Sequence, residues 1–496
     1  MKRYNNIFKR IAIVSLMIFM GACSDLEENP IGLLAPESYF NTEEDVEAAV
    51  MGAYTYWASS SIFGREYTTA VCLLDDVCDI CDIGTKAERI AMNNHNVDAN
   101  NGMIGSFWPQ YYKAIGAANS AINGIGRINI TNQKRADQLQ AEARIIRAYC
   151  YYNLVRLFGE IPYIAEFVTD PATVSDISKT SVEEIYKNII DDCLFAEQNL
   201  PDKYPNNIRC RPTAGSAKTM LASIYLTLGN YAKAAQYAED VINNASVYGY
   251  ELVEDYTDLW KAENGDMAEH VWTVDFLGGI TDELWGPMTG VRNADMNGWS
   301  VVAPSPGFYS QYEEGDYRKE VTFITETPIK GVMTDYSNWT WPRIHFGKYA
   351  LYVGEKANSE GRYSGRNFPI FRFAEVYLIA AEALAEVNQG PTSKAYEYIN
   401  KVRERARFGG TAPADLQAGL GKNDFISAVL KERMLEMPAE YKRWFDIQRR
   451  KLGEIVFQGA DSMEPHSFDP ARNYLLPLPQ DELDRNPNLL PQNPGY

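Results

Sequence analysis

The chain has 496 residues, 46% of them hydrophobic, with 47 Lys and Arg against 66 Asp and Glu and a formal net charge of −19. So acidic a chain repels phosphate backbones, which excludes nucleic acid as a partner, and so apolar a composition excludes intrinsic disorder. Aromatic residues make up 12%, including 32 Tyr and 9 Trp, enough to build a large core and still place some rings at the surface.

The first element is residues 1–22. Lys2, Arg3, Lys9 and Arg10 precede an apolar run from Ile11 to Ala22, the layout of a secretory signal and too short for the roughly 20 apolar residues of a membrane-spanning helix. Met20-Gly21-Ala22-Cys23 resembles the bacterial lipobox, with Met in the usual Leu position, and the Cys23 thiolate is the atom that takes the lipid. Removing residues 1–22 takes away four basic and no acidic side chains, which moves the net charge from −19 to −23. Two or three acyl chains, at about 0.8 kcal/mol per buried CH₂, anchor durably where one holds only marginally. Ser24-Asp25-Leu26-Glu27-Glu28 resembles the acidic start that sends some lipoproteins to the outer face of the outer membrane. The expectation is a lipid-tethered, surface-exposed bacterial protein.

Downstream, helical periodicity dominates. A loop-rich stretch at 59–105 separates a first helical segment (about 30–58) from a second (106–245). Within the second, residues 137–158 set Leu139, Ile146, Tyr149, Cys150, Asn153, Leu154 and Leu157 near one face, and Gly159 stops the helix. Thr180-Ser181-Val182-Glu183 reads as a capping box opening a helix over 181–199, ended by Pro201. In 211–244, Ala222, Tyr225, Gly229, Tyr231 and Ala234 fall in tetratricopeptide register, and Phe371–Arg407 gives a further helix pair. Such pairs stack on neighbours to bury their apolar faces. A last helix spans about 424–450, interrupted by Pro438, before an extended segment at 451–496. Residues 246–370 are instead rich in Gly, Pro, Trp, Tyr and Asn, with short β-like runs such as "HVWTVDF" and "HFGKYALYV". A helical scaffold carrying irregular segments places function in those segments.

Six cysteines follow Cys23, too few for a disulfide framework in so long a chain. "VCLLDDVCDICD" holds one C-x-x-C without the second pair a zinc site wants, so Cys72, Cys78 and Cys81 read as buried thiols or one disulfide. No metal and no cofactor are expected. No EF-hand pattern supports Ca²⁺ in the acidic loop from Asp75 to Asp82.

Several segments, in order, resemble one family: "EARIIRAYCYYNLVRLFGEIPYI", "RPTAGSAKTMLASIYLTLGNYAKAA", "FPIFRFAEVYLIAAEALAEV", "YINKVRERA", "KERMLEMPAEYKRWFDIQRR" and "LLPLPQDELDRNPNLLPQNPGY". Together with the lipobox, they are similar to SusD-like (RagB/SusD) lipoproteins over Cys23 to Tyr496. The chain departs in "MPAEYKRWFD", where the family reads closer to "LAFEGHRWFD". The resemblance implies a mainly α fold of about four tetratricopeptide-like helix pairs in one domain, 23–496, with an irregular ligand-binding region at about 59–105 and 246–370. It also implies a non-catalytic glycan binder that delivers an oligosaccharide to a SusC-like TonB-dependent porin. "RWFD" and "NPGY" are then fold signatures.

A sugar offers an apolar C–H face edged with hydroxyls, so its binder needs exposed aromatic rings beside amides, carboxylates or Arg. "DELWGPMTGVRNADMNGW" supplies Trp285 and Trp299 with Arg292 and Asn293 between them, and "YSNWTWPR" adds Tyr336, Trp339 and Trp341. The N-terminal loop offers Asp75, Asp76, Asn93 and Asn94. Trp272 and Trp108 are expected in the core, and Asp316 with Arg318 as a structural pair. The alternative is a peptide-binding lipoprotein of the same fold, in which Arg292, Asp75 and Asp76 matter more than the Trp platforms. An enzyme is not expected: the chain has no phosphate loop, no GxSxG and no H-E-x-x-H, and its four His are scattered.

Overall fold

Thr42 begins the helical scaffold with a reciprocal cap. Its hydroxyl accepts from the Asp45 N–H, and the Asp45 carboxylate accepts from the Thr42 N–H, which satisfies two donors that a helix start leaves orphaned. The computed structural model describes residues 40–128, 130–276, 283–350 and 365–496, so the leader, Cys23 and the end of "HFGKYALYV" lie outside it. From Thr42 onward the chain forms one unit.

The long helices stack in pairs. α1 (Glu43–Trp57) packs on α4 (Gly102–Ile125), with the short α2 (Tyr67–Leu73) and α3 (Ala87–Asn93) between them in sequence. α5 (Gln133–Phe158) pairs with α6 (Val182–Asn199), α7 (Ala214–Thr227) with α8 (Tyr231–Asn243), and α9 (Phe373–Val387) with α10 (Ser393–Arg407). Neighbouring pairs meet through α4 on α5, α6 on α7 and α8 on α9. The structure is thus mainly α, with four tetratricopeptide-like pairs as the resemblance implied. Small residues permit the close approach: Ala222, Ala234 and Ala238 are fully buried, and Gly229 turns the chain between α7 and α8 at φ +69°. The cap of α6 is one residue later than expected. Ser181, not Thr180, accepts from the Glu184 N–H, because Thr180 bridges to Ile161.

The last helical segment breaks at Pro438 into α11 (Lys422–Glu436) and α12 (Arg443–Arg450). In that break Tyr441 sits at φ +50°, where the family pattern has Gly. A non-Gly residue there is held against its preference by its surroundings: its hydroxyl meets that of Tyr149 at 3.2 Å and its ring stacks on Phe368. "RWFD" and "NPGY" act as packing signatures. Arg443 clamps Asp76 with two nitrogens at 2.7 and 2.9 Å, Trp444 is buried, and Asn493 donates to the carbonyls of Phe158 and Leu476.

Among the described residues the strands form two-stranded antiparallel ladders. β1 (Cys78–Ile80) pairs with β3 (Val302–Pro304), β2 (His270–Val274) with β8 (Phe368–Arg372), β4 (Phe323–Ile324) with β7 (His345–Phe346), and β5 (Glu326–Ile329) with β6 (Val332–Asp335). The β2–β8 ladder is buried and ties residues 270–274 to the end of the 246–370 segment just before α9. Trp272 of β2 lies in the core, stacked on Trp57 at 4.9 Å, and Trp108 is also buried. Below this ladder, Glu436 accepts from Arg318, Arg372 and Arg405. Burial alone would raise the Glu436 carboxyl, but the three guanidinium groups overcome it and hold it down to about 2. Asp316 and Arg318 form the expected structural pair, at 2.8 Å.

Candidate functional site

The polar and aromatic residues singled out above divide sharply by exposure. Trp341, Trp299, Tyr336 and Arg292 are half-buried, and Asn293 is exposed. Trp285 and Trp339 are not platforms. Trp285 is fully buried, with Nε1 donating to the Ala439 carbonyl at 2.9 Å and its ring against Tyr349. Trp339 donates to the Thr334 carbonyl and packs against Val291, Ala294, Ile324 and Ala350. Both indoles place an N–H on a backbone carbonyl and their apolar surface in the core, the cheapest arrangement for so large a ring.

The N-terminal loop candidates are corrected in the same way. Asp75 and Asp76 are 2% exposed. Asp75 Oδ1 accepts from the N–H groups of Val77 and Cys78, and Asp76 is the partner of Arg443. Asn93 is buried and its amide bridges Asp79 and Glu464. Burial, with the charge of Asp79 beside it, pushes the Glu464 carboxyl up to about 9. Asn94 is exposed, and the structure records no contact that joins it to the aromatic group.

The surface group is assembled from three separate segments. Arg292 is its hub: Nε donates to the Trp299 carbonyl at 2.9 Å, Nη1 pairs with Asp82 at 2.9 Å, and the guanidinium lies 4.5 Å above the Trp341 ring centroid. Asn293, in the left-handed region at φ +65°, donates to the Thr340 hydroxyl at 3.2 Å. The 290–300 loop is pinched so tightly that a Cβ on Gly298 would stand 2.0 Å from the Gly290 carbonyl carbon, so only glycine fits. Asp295 is engaged by a neighbouring turn. Its carboxylate accepts from the Lys330 and Gly331 N–H groups and so fixes the two-residue turn of the β5–β6 hairpin.

Sequence reasoning missed two contributors. Arg343, two residues after Trp341, spans both strands of the β1–β3 ladder, donating to Asp79 Oδ2 (2.6 Å), the Ile80 carbonyl and the Pro304 carbonyl. It thereby fixes the Trp341 turn to the N-terminal loop. Asp82 orients Arg292, and beside it Ile83 projects with 84% exposure. The nearest signal was Arg in "WTWPR", since a planar donor fork suits several carbonyls at once. The four His all turn inward. His95 meets His466 at 2.7 Å inside Trp444, Phe457 and Phe468, His345 reaches Ser300, and His270 meets the Gly265 carbonyl. Chemically, the Trp341–Arg292 group offers an aromatic face, amide and hydroxyl groups, and a cation balanced by its own carboxylate.

Comparison with known proteins gives a consistent result. The family described as the SusD family matches residues 330–496, and a family described as starch-binding and associating with the outer membrane matches residues 27–226. SusD-like protein P2 of Formosa agariphila is 40% identical over 100% of both chains. A solved SusD homolog from Bacteroides thetaiotaomicron superposes with a TM-score of 0.80 at 22% identity, covering 93% of this chain and 98% of its own. Surface glycan-binding protein A from the same organism, solved in complex with laminarihexaose, gives 0.75 at 21% identity, covering 91% of this chain and 100% of its own. The two solved structures establish the fold.

Proposed function

The chain belongs to the SusD family, and from that premise we propose that it is a non-catalytic, lipid-anchored glycan-binding protein of the outer-membrane surface. In this reading it hands an oligosaccharide to a SusC-like TonB-dependent porin. The Cys23 lipid is the tether, and the irregular segments carry the ligand. The observation that carries the proposal is Trp341, half-exposed and braced on one side by the Arg292 guanidinium. A ring fixed in this way stacks on the C–H face of a sugar without first losing side-chain freedom. Asn293, Thr340, Asp82 and Trp299 border it and supply the directional and shape contacts. Starch and laminarin oligosaccharides, named for family relatives, are the first ligands to test.

The test is calorimetric titration of the full chain with a glycan panel and a peptide pool. A glycan hit that Trp341→Ala weakens at least about tenfold, about 1.4 kcal/mol, with helical content unchanged, supports the site. Equal affinity in the variant refutes this site. Peptide binding without glycan binding refutes the ligand class and favours a peptide-capturing protein of the same fold.

A further inference from the structure

The connection between α2 and β1 brings together three side chains that the glycan reading does not use. The Cys72 thiol, the Asp75 carboxylate and the Cys78 thiol converge so that their donor atoms all lie within 4.8 Å of one another. All three are buried, at 0, 2 and 0% exposure. The C-x-x-C spacing is not what unites them. Cys81 turns away, with Sγ 3.6 Å from His345 Nε2, and Cys72 takes its place.

The carboxylate is the discriminating feature. Two neighbouring thiols alone would suit a disulfide, whereas here a buried carboxyl lies within the same 4.8 Å. Its Oδ1 accepts two backbone N–H groups at 2.8 and 3.0 Å, and Arg443 gives two nitrogens to the neighbouring Asp76. Among the described residues no Lys or Arg forms an ion pair with Asp75. Two sulfurs and one oxygen are the donor set of a thiophilic divalent ion, and they fill three positions of a tetrahedron.

We propose that Cys72, Asp75 and Cys78 form a buried metal site of the zinc class. Binding displaces to solvent the protons that the three donor groups carry, forms two metal–sulfur bonds and one metal–oxygen bond, and oxidises nothing. The ion staples the turn whose next residue, Asp76, holds Arg443, and whose following strand holds Arg343 through Asp79. It is structural, and its existence does not depend on what ligand the surface binds.

The test uses the full chain, expressed with its leader and purified in detergent. Elemental analysis after Zn²⁺ loading and dialysis is expected to give one zinc per chain, and Co²⁺ in its place a thiolate-to-cobalt absorption band in the near ultraviolet. Cys72→Ser and Cys78→Ser abolish both signals and Cys81→Ser keeps them. Asp75→Asn, which retains the backbone-capping oxygen, weakens zinc binding by more than the roughly 10–100-fold that loss of an outer-shell partner costs. The intact wild-type chain keeps the assay decisive if a cysteine variant fails to fold. Metal-free protein with Cys72 and Cys78 alkylated as free thiols after denaturation overturns the proposal. So does a mass two hydrogens lighter that maps to a Cys72–Cys78 disulfide, or zinc retained when both cysteines are serine.

Discussion

Replacing Asp76 by Asn separates a ligand contact from a structural anchor. Asp76 is 2% exposed and receives Arg443 Nε and Nη2 at 2.7 and 2.9 Å, while Arg443 itself is 8% exposed. The amide keeps one acceptor oxygen but loses the charge, which leaves a buried guanidinium without its counter-ion. Breaking one side of a buried pair costs about 3–5 kcal/mol. Unfolding entropy near 2.1 cal/mol/K per residue makes 1 kcal/mol worth roughly 1 °C in a chain of this length, so Tm falls by about 3–5 °C. In a cycle with Arg443→Met, the double variant is less destabilised than the sum of the singles, because neither charge then lacks a partner. The assay is calorimetric melting beside glycan titration well below Tm, where affinity stays at the wild-type value. Unchanged melting together with lost binding would refute the assignment and return Asp76 to the ligand site.

Three further outcomes follow from the same packing. Trp339→Ala empties a core position and is expected to cost about 3–5 kcal/mol by denaturant titration, whereas Trp341→Ala costs little; equal losses would contradict their different burial. Gly298→Ala forces the 290–300 loop apart at its contact with Gly290, so both glycan affinity and melting temperature fall; a silent variant would show that the loop relaxes freely. Burial, with His466 beside it, pushes His95 down to about 3. The unfolded chain therefore takes up this proton near pH 6.5 and the folded chain only near pH 3, and stability is lost as pH falls through that window. His95→Phe, in the same aromatic surroundings, flattens the acid limb by about one proton, or about 1.4 kcal/mol per pH unit; an unchanged slope would refute the neutral buried His95.

What the sequence by itself determined is what short-range rules govern. Helix pairs in tetratricopeptide register, the break at Pro438 and the core position of Trp272 depend on periodicity, chain stiffness and alternation within a few residues. The exposure of each tryptophan in the irregular segments was not legible. Trp285, Trp339 and Trp341 share the same Gly, Pro, Asn and Thr surroundings, yet only Trp341 reaches the surface. The carbonyl that takes the Trp285 N–H belongs to Ala439, 154 positions away, and the arginine that claims Asp76 is 367 positions away. Only tertiary structure decides such burial, because a side chain is removed from water by whichever distant segment comes to lie over it. The Arg292–Trp341 stack and the convergence of Cys72, Asp75 and Cys78 have the same origin: the chemistry is written in the residues, but the fold sets which of them meet.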